Sequence, residues 1–193
     1  MQDPITLLRN DRARARDAGD AWASLCVLAT VDADRVPQAR VVVLRDIDER
    51  FAVFVNGTSP KCIEMEESAH QTVLVYLASL AVQYRLAVTL EPVPAAIVRA
   101  SWLERPRIPK VMDWLYERVQ RQSTPLASRQ HLMDHYATID SQLPEDVTAP
   151  PNALGYYLIA ERVDRLELAG DRPHSRSAFE RYGGGWRTST LVP

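Results

Sequence analysis

The sequence is poor in cysteine, carries no surplus of basic charge and contains no long apolar run. Two cysteines in 193 residues cannot build a disulfide framework; Cys26 lies in an apolar run and Cys62 in an expected helix, so both read as reduced, partly buried thiols. The 23 basic and 25 acidic side chains leave a formal net charge of −2. That balance lacks the positive face which counterion release requires, and no general nucleic-acid binding is expected. No stretch approaches the roughly 18 uninterrupted apolar residues of a membrane span. At the N-terminus, Met1-Gln2-Asp3-Pro4 puts an acid and a proline where a secretory signal has a basic and then an apolar segment, so a cytoplasmic location is expected. Signature motifs are missing too. No Gly-x-Gly-x-x-Gly follows a strand, which disfavours a doubly wound nicotinamide-binding fold. Neither a Gly-x-Ser-x-Gly elbow, a Cys-x-x-Cys pair nor a phosphate loop occurs, so hydrolase and zinc readings drop out.

What remains is an ordinary globular composition, 46% hydrophobic and 25% charged, at the usual size of one domain spanning residues 1–193. Residues 4–18 read as a short exposed helix whose interleaved arginines and aspartates form a solvated face, stopped by Gly19. Residues 24–31, 37–46 and 51–56 read as strands joined by short polar connectors, an antiparallel meander. Ser59-Pro60-Lys61 is a helix start, with Ser59 placed to accept from the first free amides. Two more strands are expected over 71–77 and 82–90. From 95 to 142 the apolar spacing turns helical, broken near Pro106, Pro109 and Pro125. The aromatic stripe Trp102, Trp114 and Tyr116 reads as core packing. Strands return over 155–160 and 162–168, then a hairpin turns at Gly183-Gly184-Gly185. This order predicts a mainly β (α+β) class: an antiparallel barrel partly covered by helices.

Three groups of residues suggest chemistry. Period-two geometry puts Arg40 and Arg45 on opposite faces of their strand. An arginine facing inward among valines is costly unless it meets an anion, although both could be edge-strand arginines in solvent. Lys61 sits at a helix N-terminus, where free amides and a positive dipole end gather, so Lys61 with Arg40 or Arg45 makes a phosphate pocket without a Walker motif. Gln122-Ser123-Thr124 could add donors there or simply cap a helix. His131 and His135 lie four apart on one helix face, but Leu132 stands where a zinc hydrolase needs Glu, and no metal is expected.

The order of these pieces resembles the pyridoxine (pyridoxamine) 5′-phosphate oxidase family of FMN-binding split-barrel proteins. The likeness covers nearly the whole chain: Asp3-Pro4 and the arginine-rich helix, Leu28-Ala29-Thr30-Val31-Asp32, the run from Pro37 to Arg45, Ser59-Pro60-Lys61, Gln83 with Arg85, and Arg105-Pro106-Arg107. It continues through Gln122-Ser123, Pro125-Leu126-Ala127-Ser128-Arg129, Arg172-Pro173-His174-Ser175-Arg176 and the end from Gly184 to Pro193. The resemblance implies a homodimer with FMN at its interface, held by Arg40, Arg45, Lys61, Gln83, Gln122, Ser123 and Arg176. It also implies substrate contacts from Arg45, Arg105, Arg172 and His174. Arg172 and His174 would hold and polarise the reacting substituent, while a small amine or alcohol gives a hydride to FMN and oxygen reoxidises it. The alternative for His174 is a plain surface-loop histidine. Where the family has a lysine, tyrosine, arginine and serine around the substrate phosphate, this chain has Arg45, Ser101, Arg105 and Pro109; Pro60 and Leu166 replace an arginine and a tryptophan beside the flavin. Two further readings therefore stand beside a vitamin B6 phosphate oxidase: a family flavin oxidoreductase with a different substrate, phosphorylated or not, and a flavin-binding protein without turnover.

Overall fold

A computed structural model describes residues 3–193; of the N-terminal tetrapeptide read above, Met1 and Gln2 lie outside the described residues. The chain opens with helix α1 (Pro4–Asp17), which Asp3 caps by accepting from the Ile5 and Thr6 amides, with Pro4 in the first turn. Its buried stripe is Leu8, Asp11, Arg12 and Ala15, so the expectation of a merely solvated charged face fails. Arg12 is 1% exposed. Its guanidinium donates to the carbonyls of Ala23 (2.8 Å) and Leu44 (2.7 Å) and to Asp46 (2.8 Å). A buried cation is tolerable here because every side of the fork is satisfied.

Strands β1 (Leu25–Val31), β2 (Pro37–Val43), β3 (Arg45–Ile47) and β4 (Arg50–Asn56) follow. The strand expected over 37–46 is thus two, separated at Leu44, whose carbonyl is taken by Arg12 instead of a neighbouring strand. The expected meander is also corrected: β1 pairs with β2 and β3 with β4, but β4 adds to β7 at the far side of the sheet. Helix α2 (Pro60–Glu67) leads to β5 (Gln71–Leu77) and β6 (Val82–Pro92). Then come α3 (Ala95–Leu103), α4 (Arg107–Arg118) and α5 (Arg129–Gln142). Pro109 does not break the helical layer. It sits in the first turn of α4, where amides have no intrahelical acceptor to lose. Trp102 anchors the layer, buried with Val111, Leu115 and Ile139 and flanked by Trp114 and Tyr116.

The last strands are β7 (Ala153–Glu167), β8 (Ser175–Tyr182) and β9 (Gly185–Leu191). The two strands expected over 155–168 are one, because β6 pairs along its whole length and absorbs a register shift at Ala87/Val88. The other edge of β7 serves two partners in turn, β4 over its first half and β8 over its second, and this splits the barrel. Gly183 (φ 54°) and Gly184 (φ 80°) form the hairpin turn between β8 and β9, the positive-φ pair that such a two-residue turn demands. Among the described residues the result is a nine-stranded antiparallel split barrel with five α-helices. Among the described residues no helix is long and apolar enough to cross a membrane. Cys26 and Cys62 are buried and unbridged.

Candidate functional site

The register sorts the singled-out residues onto two faces of the sheet. Arg40 stands across from Leu28, which continues through Val73, Leu86 and Val163 to Phe179, the core-facing row. Directly opposed residues share a face, and neighbours along a strand point oppositely. Gln83 belongs to the other face, in a row running from Tyr76 through Gln83 and Leu166 to Arg176.

On the core side, Arg40, Lys61, Gln122 and Ser123 line one cleft of about 650 Å³ with Ser59 and Glu64, a volume in the range of cofactor sites. Arg40 donates to Glu64 at 2.8 Å and also to the Thr30 hydroxyl. Lys61 is bonded through Nζ to the Ser59 hydroxyl and reaches the Gln122 side-chain oxygen at 3.5 Å. Ser59 therefore serves Lys61 and makes no side-chain cap, contrary to expectation. Among the described residues no carboxylate lies within ion-pair distance of Lys61, whereas Arg40 has Glu64. Burial holds the Lys61 ammonium below its ordinary value, and nearby Arg40 adds to this. An anion in the cleft would relieve both costs. Gln122 and Ser123 lie in the loop between α4 and α5, not at a helix start; Ser128 caps α5 by accepting from the His131 amide. Ser123 has φ 65°, a left-handed conformation costing a non-glycine residue about 1–2 kcal/mol and typical of ligand-binding loops.

Arg105 adjoins this cleft. It lines a smaller recess of about 130 Å³ together with Lys61, Gln122, Asn56 and Asp113. Its guanidinium is bonded to Asp113, whose carboxyl burial pushes up while Arg105 pulls it down. Arg45 is elsewhere: once the chain breaks at Leu44 it pairs with Glu104 at 2.5 Å and lines neither recess. Neither strand arginine is left free in solvent. Ser101 is buried in α3.

On the opposite face, Arg176 donates to Asp164 at 2.9 Å, beside Gln83 and Leu166. Arg172 and His174 sit in the exposed loop before β8, where Arg172 lies 3.8 Å from Glu167. The Ala169 amide donates to His174 Nδ1 at 3.1 Å, which leaves the ring proton of a neutral imidazole on Nε2, free to donate outward. His131 and His135 approach to 2.7 Å on an exposed face of α5; among the described residues no group of three metal-ligating side chains forms. Sequence reasoning missed Glu64, Asp113 and Asp164, the carboxylates that hold the arginines. Glu64 alone had a local signal, lying one helical turn beyond Lys61. A larger cleft of about 940 Å³ opens between the start of α1 and the β8–β9 hairpin, lined by Arg9, Arg50, Arg181 and Trp186. It holds none of the residues expected to contact flavin or substrate.

The chain matches no family model. Full-length relatives are another matter. The pyridoxine/pyridoxamine 5′-phosphate oxidase of Anaeromyxobacter dehalogenans is 32% identical over 193 residues, covering 99% of this chain and 96% of that protein. That of Alkalilimnicola ehrlichii is 34% identical over 184 residues, covering 94% and 91%. The chain belongs to the pyridoxine/pyridoxamine 5′-phosphate oxidase family. Among solved structures, PhzG from Burkholderia lata 383, crystallised with tetrahydrophenazine-1-carboxylic acid, superposes with a TM-score of 0.87 at 27% identity, covering 100% of this chain and 94% of that one. A pyridoxamine 5′-phosphate oxidase-related, FMN-binding protein of Nostoc punctiforme has the same fold, with a TM-score of 0.75 at 19% identity and coverage of 97% and 96%.

Proposed function

We propose that this family member is a homodimeric FMN-dependent oxidase of a small amine or alcohol, with pyridoxamine and pyridoxine 5′-phosphates as the first substrates to try. One observation carries the reading. Arg40, Lys61, Gln122 and Ser123 face one side of the sheet and Gln83 and Arg176 the other, so a single flavin touching both sets needs two chains. The outer face supports this, since Val41, Val43 and Tyr76 stand 50%, 52% and 38% exposed along it, an apolar stripe of the kind that marks protein contacts.

The donor set fits FMN. Lys61, with the first-turn amides of α2, suits the phosphate tail, and the side-chain amides of Gln122 and Gln83 suit the polar edge of the ring. Arg40, already bound to Glu64, positions a second cation beside that tail. The two-electron oxidation is chemistry that FMN supplies when bound. In this reading Arg172 and His174 act from the partner-facing loop, His174 donating from Nε2 to the substituent that reacts. Oxidation of an amine in air consumes oxygen and water and yields an aldehyde, ammonia and hydrogen peroxide.

A second substrate reading rests on the four residues that stand where the family holds the substrate phosphate. Arg105 is neutralised by Asp113 and Arg45 by Glu104, Pro109 has no amide proton to offer, and Ser101 is buried. These features favour a substrate with less negative charge than a phosphate dianion, a monoanionic carboxylate such as the one bound to PhzG being an example. The deciding experiment starts from the colour of the purified protein and its flavin fluorescence after denaturation. Pyridoxamine 5′-phosphate is then added in air, with aldehyde and peroxide as readouts. Both products support the first reading. A flavin that is reduced only by unphosphorylated donors supports the second. Yellow protein inert to every donor indicates flavin binding without turnover, and a colourless protein that ignores added FMN refutes the proposal.

A further inference from the structure

Three guanidiniums converge on the single carboxylate of Asp164, whose side chain is 5% exposed. Its Oδ2 accepts from Arg85 and, at 2.9 Å, from Arg176; its Oδ1 accepts from Arg162 at 2.9 Å. The register explains the convergence. Asp164 stands across from Arg85 on β6 and Ala178 on β8, one row removed on the same face from Gln83, Leu166 and Arg176. Arg162 has a second acid, Glu180, at 2.7 Å, so its charge is met without Asp164. Arg85 and Arg176 have no other carboxylate within ion-pair distance among the described residues. Bonded to one oxygen atom, these two cations lie within about 6 Å of each other, and without the carboxylate they would repel and spread into solvent. Burial raises the Asp164 carboxyl and the bonds from Arg176, Arg162 and Arg85 outweigh it, keeping the group ionised.

We infer that Asp164 is a positioning residue for the cofactor: it fixes Arg176, with Arg85 alongside, in the orientation that meets the flavin on the Gln83 face. The inference rests on the FMN reading above and goes beyond it, since Asp164 itself touches no cofactor. Removing a fixed partner costs Arg176 its preorganisation, which weakens binding. Removing one negative charge also makes the field on that face more positive, which favours the more electron-rich reduced flavin. A carboxylate serving the fold alone would produce neither effect.

The test uses the full-length chain. FMN dissociation constants from fluorescence quenching and flavin midpoint potentials are measured for wild type, Asp164→Asn, Asp164→Glu and Arg176→Ala, with melting temperature and dimer mass as controls. The expected result for Asp164→Asn is a dissociation constant raised about tenfold and a midpoint potential shifted to more positive values. Asp164→Glu is expected to fall between Asn and wild type, and Asp164→Asn is expected to add little once Arg176→Ala is present. A folded, dimeric Asp164→Asn with wild-type affinity and potential overturns the inference. Should the Asn variant not fold, an Asp164→Glu variant indistinguishable from wild type overturns it equally. Failure of the wild type itself to take up FMN refutes the cofactor reading, and this inference falls with it.

Discussion

Lys61→Met separates the cost of the cleft from its use. Lys61 is half-buried, bonded to one neutral hydroxyl, and next to the already paired Arg40. In the flavin-free protein its charge is thus a burden. Its ammonium is held below the ordinary lysine value of 10.5, so between the folded and unfolded values the unfolded chain binds more protons and stability rises as pH climbs through that window. Below that window the fold bears the full cost of the charged form. Replacing Lys61 by the uncharged, similarly long methionine is therefore expected to leave the melting temperature of the flavin-free protein unchanged or raised. FMN binding should move the other way. A hydrogen bond from a charged donor is worth about 1.5–3 kcal/mol, so the dissociation constant should rise roughly ten- to hundredfold. Fluorescence titration with FMN and thermal denaturation without it measure the two effects. A variant that keeps wild-type affinity, or one that loses affinity only in step with a lower melting temperature, refutes the assignment of Lys61 to the phosphate.

Other expectations follow from single features. A Cβ on Gly155 would meet two Phe54 ring carbons at 2.9 and 3.0 Å and Val93 Cβ at 3.0 Å, so Gly155→Ala should cost about 1–3 kcal/mol in urea denaturation; no loss would mean that this β4–β7 contact is looser than described. Tyr84 is fully buried and bridges α1 to the sheet by donating to Asp11 at 2.6 Å and accepting from Arg165 at 2.8 Å; Tyr84→Phe should cost about 1–3 kcal/mol in the same assay. The Asp164 carboxyl is held below its ordinary 3.8, so its stabilisation is complete above that value and lost as pH falls through the folded value. The stability gap between wild type and Asp164→Asn should then stay level at neutral pH and close in acid. A gap that persists in acid would contradict this. His174→Ala should lower kcat and leave FMN affinity within about threefold, because its bond to the Ala169 amide holds a loop and no flavin-facing cation.

Local pattern made most elements readable, because capping and periodicity act over a few residues: Asp3-Pro4 opens α1, Pro60 opens α2 and Gly183-Gly184 turns the final hairpin. The order of strands was not readable. Pairing of β4 with β7 joins segments about a hundred residues apart in sequence, and no local residue type encodes it. The same holds for the arginines. Charge alternation made α1 look solvated, yet Arg12 is buried because three acceptors from distant segments close around it. Arg40 and Lys61 could be paired from strand and helix signals, whereas the place of Arg45 outside the cleft was not legible, because nothing local reveals that the strand ends at Val43. Asp164 carries no motif at all; its three arginines meet only through the cross-strand register.

The claim on which the account turns is that each flavin site draws on both faces, and hence on two chains. Co-expression of differently tagged Lys61→Met and Arg176→Ala chains tests it directly. Each homodimer alone has two damaged sites, while the tandem-purified mixed dimer has one site damaged twice and one intact. The account predicts that the mixed dimer regains about half of the wild-type FMN content. Flavin content no higher than in the two parent homodimers would contradict it.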